Sequence, residues 1–287
     1  MVWVTNESPQ SRSLLAGEDV EWVDYVAPRD LLTAVRLLPT AHRIVRRPGV
    51  DLVISTGSAI AVPFLVAATA NGRSTFYIES ATRADGPSLT ARILSFVPGV
   101  QLRTQSATWS SRRWKFVGSV FDGWTAAVVP AQPIRNIVVS LGTMKRYQFR
   151  SLVDRLLEIV PPQTQVLWQV GATDVSDLPI DARGSVPAAE LSAAMRAADV
   201  IVAHAGTGVA LTAMEMGKSP VLVPRRAARD EHVDDHQQQT AQLLGCAGLA
   251  VVAEVGELTW EHLERAAARR IVARVDGPRI ELSPRRR

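Results

Sequence analysis

The densest chemistry in the sequence lies in the run Val200-Ile-Val-Ala-His-Ala-Gly-Thr-Gly-Val-Ala-Leu-Thr-Ala-Met-Glu-Met-Gly217. Its apolar opening reads as a buried strand, the Gly/Thr step as a tight turn and the remainder as a short helix. Such a turn leaves backbone N–H groups and a helix N-terminus at a sheet edge, which suits a phosphate group. His204, Ala205, Gly206, Thr207 and Gly208 make up the turn. The glycines admit close backbone approach and the Thr207 hydroxyl adds a hydrogen bond. Glu215, about two turns down the helix, can accept from ribose hydroxyls. Taken alone, the glycines fit an ordinary strand-to-helix turn equally well.

A second glycine turn, Ser140-Leu-Gly-Thr-Met-Lys-Arg146, puts Gly142 and Thr143 after another expected strand of the same half. Two anion-friendly loops at the ends of parallel strands favour the phosphate site. Neither turn matches the dinucleotide fingerprint G-x-G-x-x-G or the P-loop G-x-x-x-x-G-K-[ST], which argues against NAD and ATP hydrolysis. A third segment, Arg229-Asp-Glu-His-Val-Asp-Asp-His-Gln-Gln-Gln-Thr240, is polar at an expected helix start. Asp234 or Asp235 can cap that helix, while His236, Gln237 and Gln238 offer groups for sugar hydroxyls. In isolation it is also what a capped, solvated helix start looks like. His232, Asp235 and His236 could share a helix face, but no further ligand is evident and H-E-x-x-H is absent, so no metal is expected. The chain lacks a Gly-x-Ser-x-Gly elbow and has one cysteine, Cys246, late in an apolar helix, which leaves nucleophilic catalysis unsupported.

These loops need a scaffold, and the sequence supplies an alternating one. Short Val/Ile runs interleave with amphipathic stretches throughout, the pattern of parallel sheets with crossover helices in an α/β protein. With 287 residues the chain suits two lobes, each with its own core. Periodicity lapses over 122–135, where Val129-Pro-Ala-Gln-Pro133 stiffens the backbone, so lobes of 1–128 and 134–273 are expected, followed by a basic tail, 274–287. Single helices are expected over 28–47 and over 259–272, and one Rossmann-like sheet in each lobe.

The composition, 47% hydrophobic and 21% charged, is that of a globular chain. One cysteine excludes an intrachain disulfide, and no apolar stretch reaches the roughly 18 to 20 residues of a spanning helix. The first residues show neither a basic region nor a long apolar run, so no secretory signal is read and the cytoplasm is expected. The net charge of +4 comes with basic clusters at Arg43/Arg46/Arg47, Arg112/Arg113/Lys115, Arg225/Arg226/Arg229 and Arg285 to Arg287. They fit a nucleotide diphosphate, an acidic lipid surface or nucleic acid as partner, or a simply solvated surface, the reading that covers most of these arginines.

Together, Ser140 to Arg146, Ala203 to Arg225 and Asp234 to Ala241 resemble the C-terminal lobe of the MurG-type UDP-GlcNAc transferases. They look closer still to the catalytic half of the two-part N-acetylglucosaminyltransferase acting on dolichol diphosphate. The first half resembles the membrane-recruited partner of that enzyme and its bacterial exopolysaccharide equivalents. The stretches that match there are Asp51 to Gly57 with Ala61-Val-Pro63, Tyr77 to Ser80 through Gly86 to Thr90, and Phe116 to Phe121. The resemblance implies a GT-B fold, two Rossmann-like lobes whose parallel sheets face across a cleft. It also implies an inverting transfer of a sugar, GlcNAc first among them, from a UDP donor to a polyprenyl-diphosphate-linked acceptor. The site would then be peripheral at the cytoplasmic face of an anionic membrane, with UDP-sugar as substrate, no metal cofactor and no nucleic acid.

The resemblance gives Gly206, Thr207 and Gly208 the donor diphosphate, Glu215 the ribose and Gln237 and Gln238 the donor sugar. Gly142 and Thr143 would line the cleft from the opposite loop, with Thr56, Gly57 and Ser80 on the acceptor side. The family begins its N-terminal lobe with a strand and a Gly-Gly-His loop facing the acceptor, and nothing before Val2 supplies it here. A catalytic base must lie near the acceptor hydroxyl. Either the chain is clipped at its start, with Val2 to Thr5 the second strand of the lobe, or another residue or protein completes the site. Glu79, at an expected strand end, is the substitute within this chain, and it fits a carboxylate capping the next helix equally well. An acceptor-independent UDP-sugar epimerase and a non-catalytic membrane-docking scaffold are the alternative functions.

Overall fold

A computed structural model describes residues 1–27, 30–142, 147–231, 236–276 and 282. Chain contacts divide it into two compact units, Met1–Val120 with Arg279–Arg287, and Phe121–Pro278. Both are α/β.

In chain order the first unit contains β1 (Trp3–Asn6), α1 (Pro9–Leu14), β2 (Val20–Val23), α2 (Leu31–Arg36), α3 (Leu38–Val45), β3 (Leu52–Ser55), α4 (Ala61–Ala70), β4 (Ser74–Ile78), α5 (Leu89–Ser95), β5 (Gln101–Thr104) and β6 (Trp114–Phe116). β3, β4, β5 and β6 form a parallel sheet in that order, and β1 pairs with β2, also in parallel, as a separate two-stranded sheet. The expectation of one sheet is thus corrected, since among the described residues no ladder joins β1 to β3. The two pieces share one layer of helix: Val4, Val23 and Val53 all pack on a cluster of Ala41, Ile44, Val45, Phe64, Ala67 and Ala68 from α3 and α4. The expected helix over 28–47 is also corrected. It breaks at Leu37, because Pro39 has no N–H to give and is tolerated only in the first turn of a new helix.

The second unit holds β7 (Trp124–Val128), β8 (Asn136–Ser140), α6 (Arg150–Ile159), β9 (Gln165–Gln169), β10 (Ala182–Arg183), α7 (Ala188–Ala197), β11 (Val200–His204), α8 (Thr207–Glu215), β12 (Val221–Val223), α9 (His236–Cys246), β13 (Val251–Val252), α10 (Trp260–Ala267) and β14 (Arg269–Ala273). Six of its strands make a parallel sheet in the order β10-β9-β8-β11-β12-β13. Covered on both faces by helices, its central strands carry continuous apolar runs instead of alternation. Ile137, Val139, Val200, Val202, Val221 and Val223 are 0 to 1% exposed, each burial contributing about 1.5 kcal/mol or more. On α6 the core residues Leu152, Val153 and Leu156 share one face. Its other face carries Arg150, paired with Asp154 and Asp177, and Arg155, paired with Glu158.

The expected helix over 259–272 ends early. It stops after Ala267, and Arg269–Ala273 forms β14, antiparallel to β7, which lies at the expected end of the first lobe. The β-branched pair Ile271-Val272 favours the strand, with Ile271 buried and Arg270 and Val272 exposed, the alternation of a sheet with one wet face. Among the described residues no helix is long and apolar enough to cross a membrane.

Candidate functional site

In the six-stranded sheet the chain runs outward from β8 in one direction through β9 and β10 and in the other through β11, β12 and β13. The reversal falls between the neighbours β8 and β11, where crossovers leave to opposite faces and open a crevice at the carboxyl ends of the strands. Both glycine turns of this unit stand there.

His204 stands between them. Its Nδ1–H donates to the Ser140 carbonyl oxygen at 3.2 Å, tying the end of β11 to that of β8. A Cβ at Gly142 would come within 2.9 Å of the ring Cε1. A Cβ at Gly206 would stand 3.0 Å from Cδ2 and nearer still to Nε2. The imidazole therefore requires a glycine on each side, and the φ of +78° at Gly142 adds a second requirement. The packed role of His204 accounts for why the two turns lie so close together.

Gly206 is the N-cap of α8, extended at φ −82° and ψ 136°, and its N–H donates to the His204 carbonyl at 2.7 Å. The Ala210 N–H closes the first helical bond to Gly206, so the N–H groups of Thr207, Gly208 and Val209 are those a helix start leaves to be satisfied from outside. Ala205 is buried below the turn, Thr207 is half-buried and Gly208 is exposed, with open space where a Cβ would stand. Glu215 is the exposed last residue of α8, about 12 Å along the axis from Thr207.

One strand further out, β12 is followed by Pro224-Arg225, and Arg225 is a component that the sequence pattern misassigns. Instead of belonging to a solvated basic cluster it is 2% exposed. Its Nη2 donates to the Leu141 carbonyl at 2.6 Å and its Nη1 to the Tyr147 carbonyl at 3.2 Å. The Phe149 ring lies 5.4 Å from the guanidinium. Burial lowers its pKa from the ordinary arginine value, and the Glu231 carboxylate offsets part of that. The signal was its place one residue beyond the proline that closes a fully buried strand, where a side chain has the sheet end to enter.

The backbone N–H of Arg225 donates to the Gln237 Oε1 at 3.2 Å, so Gln237, 3% exposed, fastens α9 to the end of β12. Gln238 is exposed and accepts from Arg226, whose guanidinium also pairs with Glu254. Thr143, His232, Asp234 and Asp235 lie outside the described residues, as does the side chain of His236.

In the first unit, Thr56-Gly57 and Ser80 follow the carboxyl ends of the adjacent strands β3 and β4. Gly57 has φ +137° and Ser58 φ +67°, a left-handed pair that turns the chain sharply into α4. Glu79, 2% exposed, accepts the Ser80 N–H at 3.0 Å and the Ser88 N–H at 2.8 Å, and the Tyr77 hydroxyl donates to it at 3.3 Å. Of the two roles open to it from sequence, these contacts fit the one that holds the start of α5: Ser88 is the α5 N-cap.

Residues 136–269 match the family described as Glycosyltransferase family 28 C-terminal domain. A UDP-N-acetylglucosamine--N-acetylmuramyl-(pentapeptide) pyrophosphoryl-undecaprenol N-acetylglucosamine transferase of Chlorobium limicola is 26% identical over 253 residues, covering 82% of this chain and 66% of the relative. The chain thus spans slightly under two thirds of the length of the first curated relatives it matches. Among solved structures, Acinetobacter baumannii MurG superposes with a TM-score of 0.56 at 20% identity, covering 92% of this chain and 79% of that one. The glycosyltransferase of kitacinnamycin gives 0.60 at 17%, covering 93% and 81%. These likenesses show the fold, that of the GT-B glycosyltransferases.

Proposed function

Taking residues 136–269 as a glycosyltransferase family 28 C-terminal domain, we propose that this chain is an inverting glycosyltransferase. It moves a sugar, GlcNAc first among the candidates, from a UDP donor to a lipid-diphosphate-linked glycan. The observation that carries the proposal is the meeting of two glycine turns around His204 at the point where strand order reverses, beside the open first turn of α8. The activity in the name of the Chlorobium limicola relative, with its GlcNAc donor and pyrophosphoryl-undecaprenol acceptor, supports the same substrate pair.

In this reaction an acceptor hydroxyl attacks the anomeric carbon opposite the leaving group, its proton passes to a base, and the bond from that carbon to the diphosphate oxygen breaks to release UDP. Negative charge grows on the departing diphosphate. The N–H groups of Thr207, Gly208 and Val209 and the positive end of α8 meet it there without reorganising, as preorganised dipoles do in a dry site. Gly142 and Thr143 close the other side, Glu215 takes the ribose, and Gln237 and Gln238 take the sugar. Because the Gln237 oxygen already accepts from Arg225, its amide N–H groups are what it offers the sugar. On the acceptor side Thr56, Gly57 and Ser80 receive the lipid diphosphate, and Glu79 holds their neighbourhood in shape. No metal is needed in this scheme.

The first unit supports a peripheral site at the cytoplasmic face of an anionic membrane. An apolar pocket between α2, the start of α3, α4 and α5 is lined by Val35, Leu38, Val62, Val66, Leu89 and Ile93. Leu38 and Val66 also border a groove carrying His42, Arg43 and Arg46, all exposed, so apolar and basic surface adjoin as lipid headgroups and chains require.

Titration calorimetry with UDP-GlcNAc, UDP-glucose and UDP-glucuronate tests the donor, and product analysis with a polyprenyl-diphosphate glycan in anionic vesicles tests the transfer. Binding of one donor and an inverted linkage in the product are expected. No binding by any of the three removes the donor assignment, and an altered sugar nucleotide without acceptor converts the reading to an epimerase.

A further inference from the structure

The mechanism above gives the donor sugar to Gln237 and Gln238 but leaves the ion pair behind them, Arg226 with Glu254, without a part. That pair decides which end of an amide the sugar meets. The Gln237 Oε1 accepts the Arg225 backbone N–H at 3.2 Å, and the Gln238 Oε1 accepts from the Arg226 Nη1. Both partners can only donate, so in each amide the carbonyl oxygen must be the atom turned toward them. Among the described residues neither Nε2 has a partner. The two glutamines therefore hold out N–H donors alone.

Gln237 is buried and held by backbone, whereas Gln238 is exposed and depends on a side chain to fix its direction. Arg226 is itself fastened at three points. Its Nε donates to the Glu254 Oε2 at 3.1 Å, its Nη2 meets the other carboxylate oxygen, and its backbone N–H donates to the Glu231 Oε2 at 3.0 Å. With one edge of the planar guanidinium locked bidentately on Glu254, Nη1 is left on the far side, where Gln238 takes it. Arg226 follows β12 and Glu254 follows β13, so the pair spans the carboxyl ends of two neighbouring strands. Side-chain exposures of 24% and 34% shield it from the screening that weakens surface pairs. The Glu254 carboxylate also cancels the arginine charge one hydrogen bond away from Gln238. A carboxylate on the sugar would meet N–H groups there but no unbalanced cation from Arg226.

We propose that Glu254 is a specificity-determining residue that acts through Arg226: it fixes Gln238 as a hydrogen-bond donor and balances the charge beside it, so the sugar taken is an uncharged hexose read through the lone pairs of its hydroxyl or acetamido oxygens. The inference rests on the donor reading given above. Glu254 and Arg226 stay out of contact with the sugar and are positioning residues.

The test compares the full chain with Glu254→Gln and Arg226→Met by calorimetry on UDP-GlcNAc, UDP-glucose and UDP-glucuronate, each referred to UDP, which has no sugar to read, and by donor KM against kcat. UDP-glucose and UDP-glucuronate differ only at C6. In Glu254→Gln, with the arginine charge uncovered, the ratio of their affinities should move toward glucuronate by about fivefold or more. Arg226→Met frees the Gln238 amide to turn, and UDP-GlcNAc should bind about tenfold more weakly relative to UDP, with donor KM raised more than kcat is lowered. Variants whose sugar preference and UDP-GlcNAc affinity stay within about twofold of the wild type would overturn the proposal, and so would a loss shared equally by UDP and all three sugar nucleotides, the mark of a purely structural pair. Should both variants fail to fold, the wild type still decides: it must bind UDP-glucose more tightly than UDP-glucuronate, and equal or reversed affinities refute the inference. If the wild type binds neither UDP nor any of the three, the donor reading falls, an outcome distinct from intact binding that ignores Glu254.

Discussion

Gly206→Ala should damage the protein through one side chain, and the structure says which. The backbone there is extended at φ −82° and ψ 136°, a conformation alanine adopts freely, so no dihedral cost arises. The new methyl instead meets the His204 ring, 3.0 Å from Cδ2 and Cε1 and nearer to Nε2. Any rotation of the ring away from the methyl strains the bond from Nδ1 to the Ser140 carbonyl. Overpacking of this kind costs about 1–3 kcal/mol and a lost hydrogen bond about 1 more, so about 2–4 kcal/mol is divided between stability and donor binding. A binding share of ~2 kcal/mol is a rise of about 30-fold in the Kd for UDP. Calorimetry and urea unfolding on Gly206→Ala, His204→Ala and the double variant give the cycle. The double variant should recover about 1–2 kcal/mol relative to additivity, since with the ring gone the methyl has room. Additive effects, or a Gly206→Ala protein indistinguishable from wild type, would refute the wedge.

Gly208→Ala, facing open space, should fold at least as well as wild type and gain up to about 1 kcal/mol of helix propensity, yet lose UDP affinity; unfolding curves beside calorimetry read both. Glu79→Ala should lose about 2–4 kcal/mol of stability by leaving the Ser80 and Ser88 N–H groups without their acceptor, with Glu79→Gln intermediate in stability and close to wild type in kcat; a stable Glu79→Gln with kcat down about a thousandfold would instead make it the base. Burial, followed by the neighbouring Glu79 charge, raises the Tyr77 pKa well above its ordinary 10.0. The folded state therefore keeps a proton that the unfolded chain releases above about pH 10, and stability should fall as pH rises beyond that point. Tyr77→Phe should be flat there, as urea midpoints from pH 9 to about 11 would record. Ile271→Ala, at the β14 to β7 pairing, should cost about 2–4 kcal/mol in thermal unfolding.

The parallel core of the second unit was readable because its strands are buried on both faces and spell it out in Ile137-Val-Val139, Val200-Ile-Val202 and Val221-Leu-Val223. Glycine turns after two of them marked the carboxyl edge. What remained hidden depended on partners distant in sequence. β14 needed β7, about 140 residues earlier, to distinguish it from the end of a helix. The fork of Arg225 needed two carbonyls that local composition cannot reveal, so a buried cation looked like one more surface arginine. Likewise nothing local shows that the Glu79 carboxylate accepts the N–H of Ser88, nine residues on. The divided sheet of the first unit was illegible for the same reason: β1 and β3 each carry strand-like residues, and only the ladders tell whether they meet.

The central claim, that a donor diphosphate binds where the two glycine turns meet, is tested most directly by hydrogen exchange with and without saturating UDP. Slower exchange confined to peptides spanning 141–148 and 204–210, with 52–60 unchanged, is the predicted result. Protection absent from both turns while UDP is bound elsewhere would contradict it.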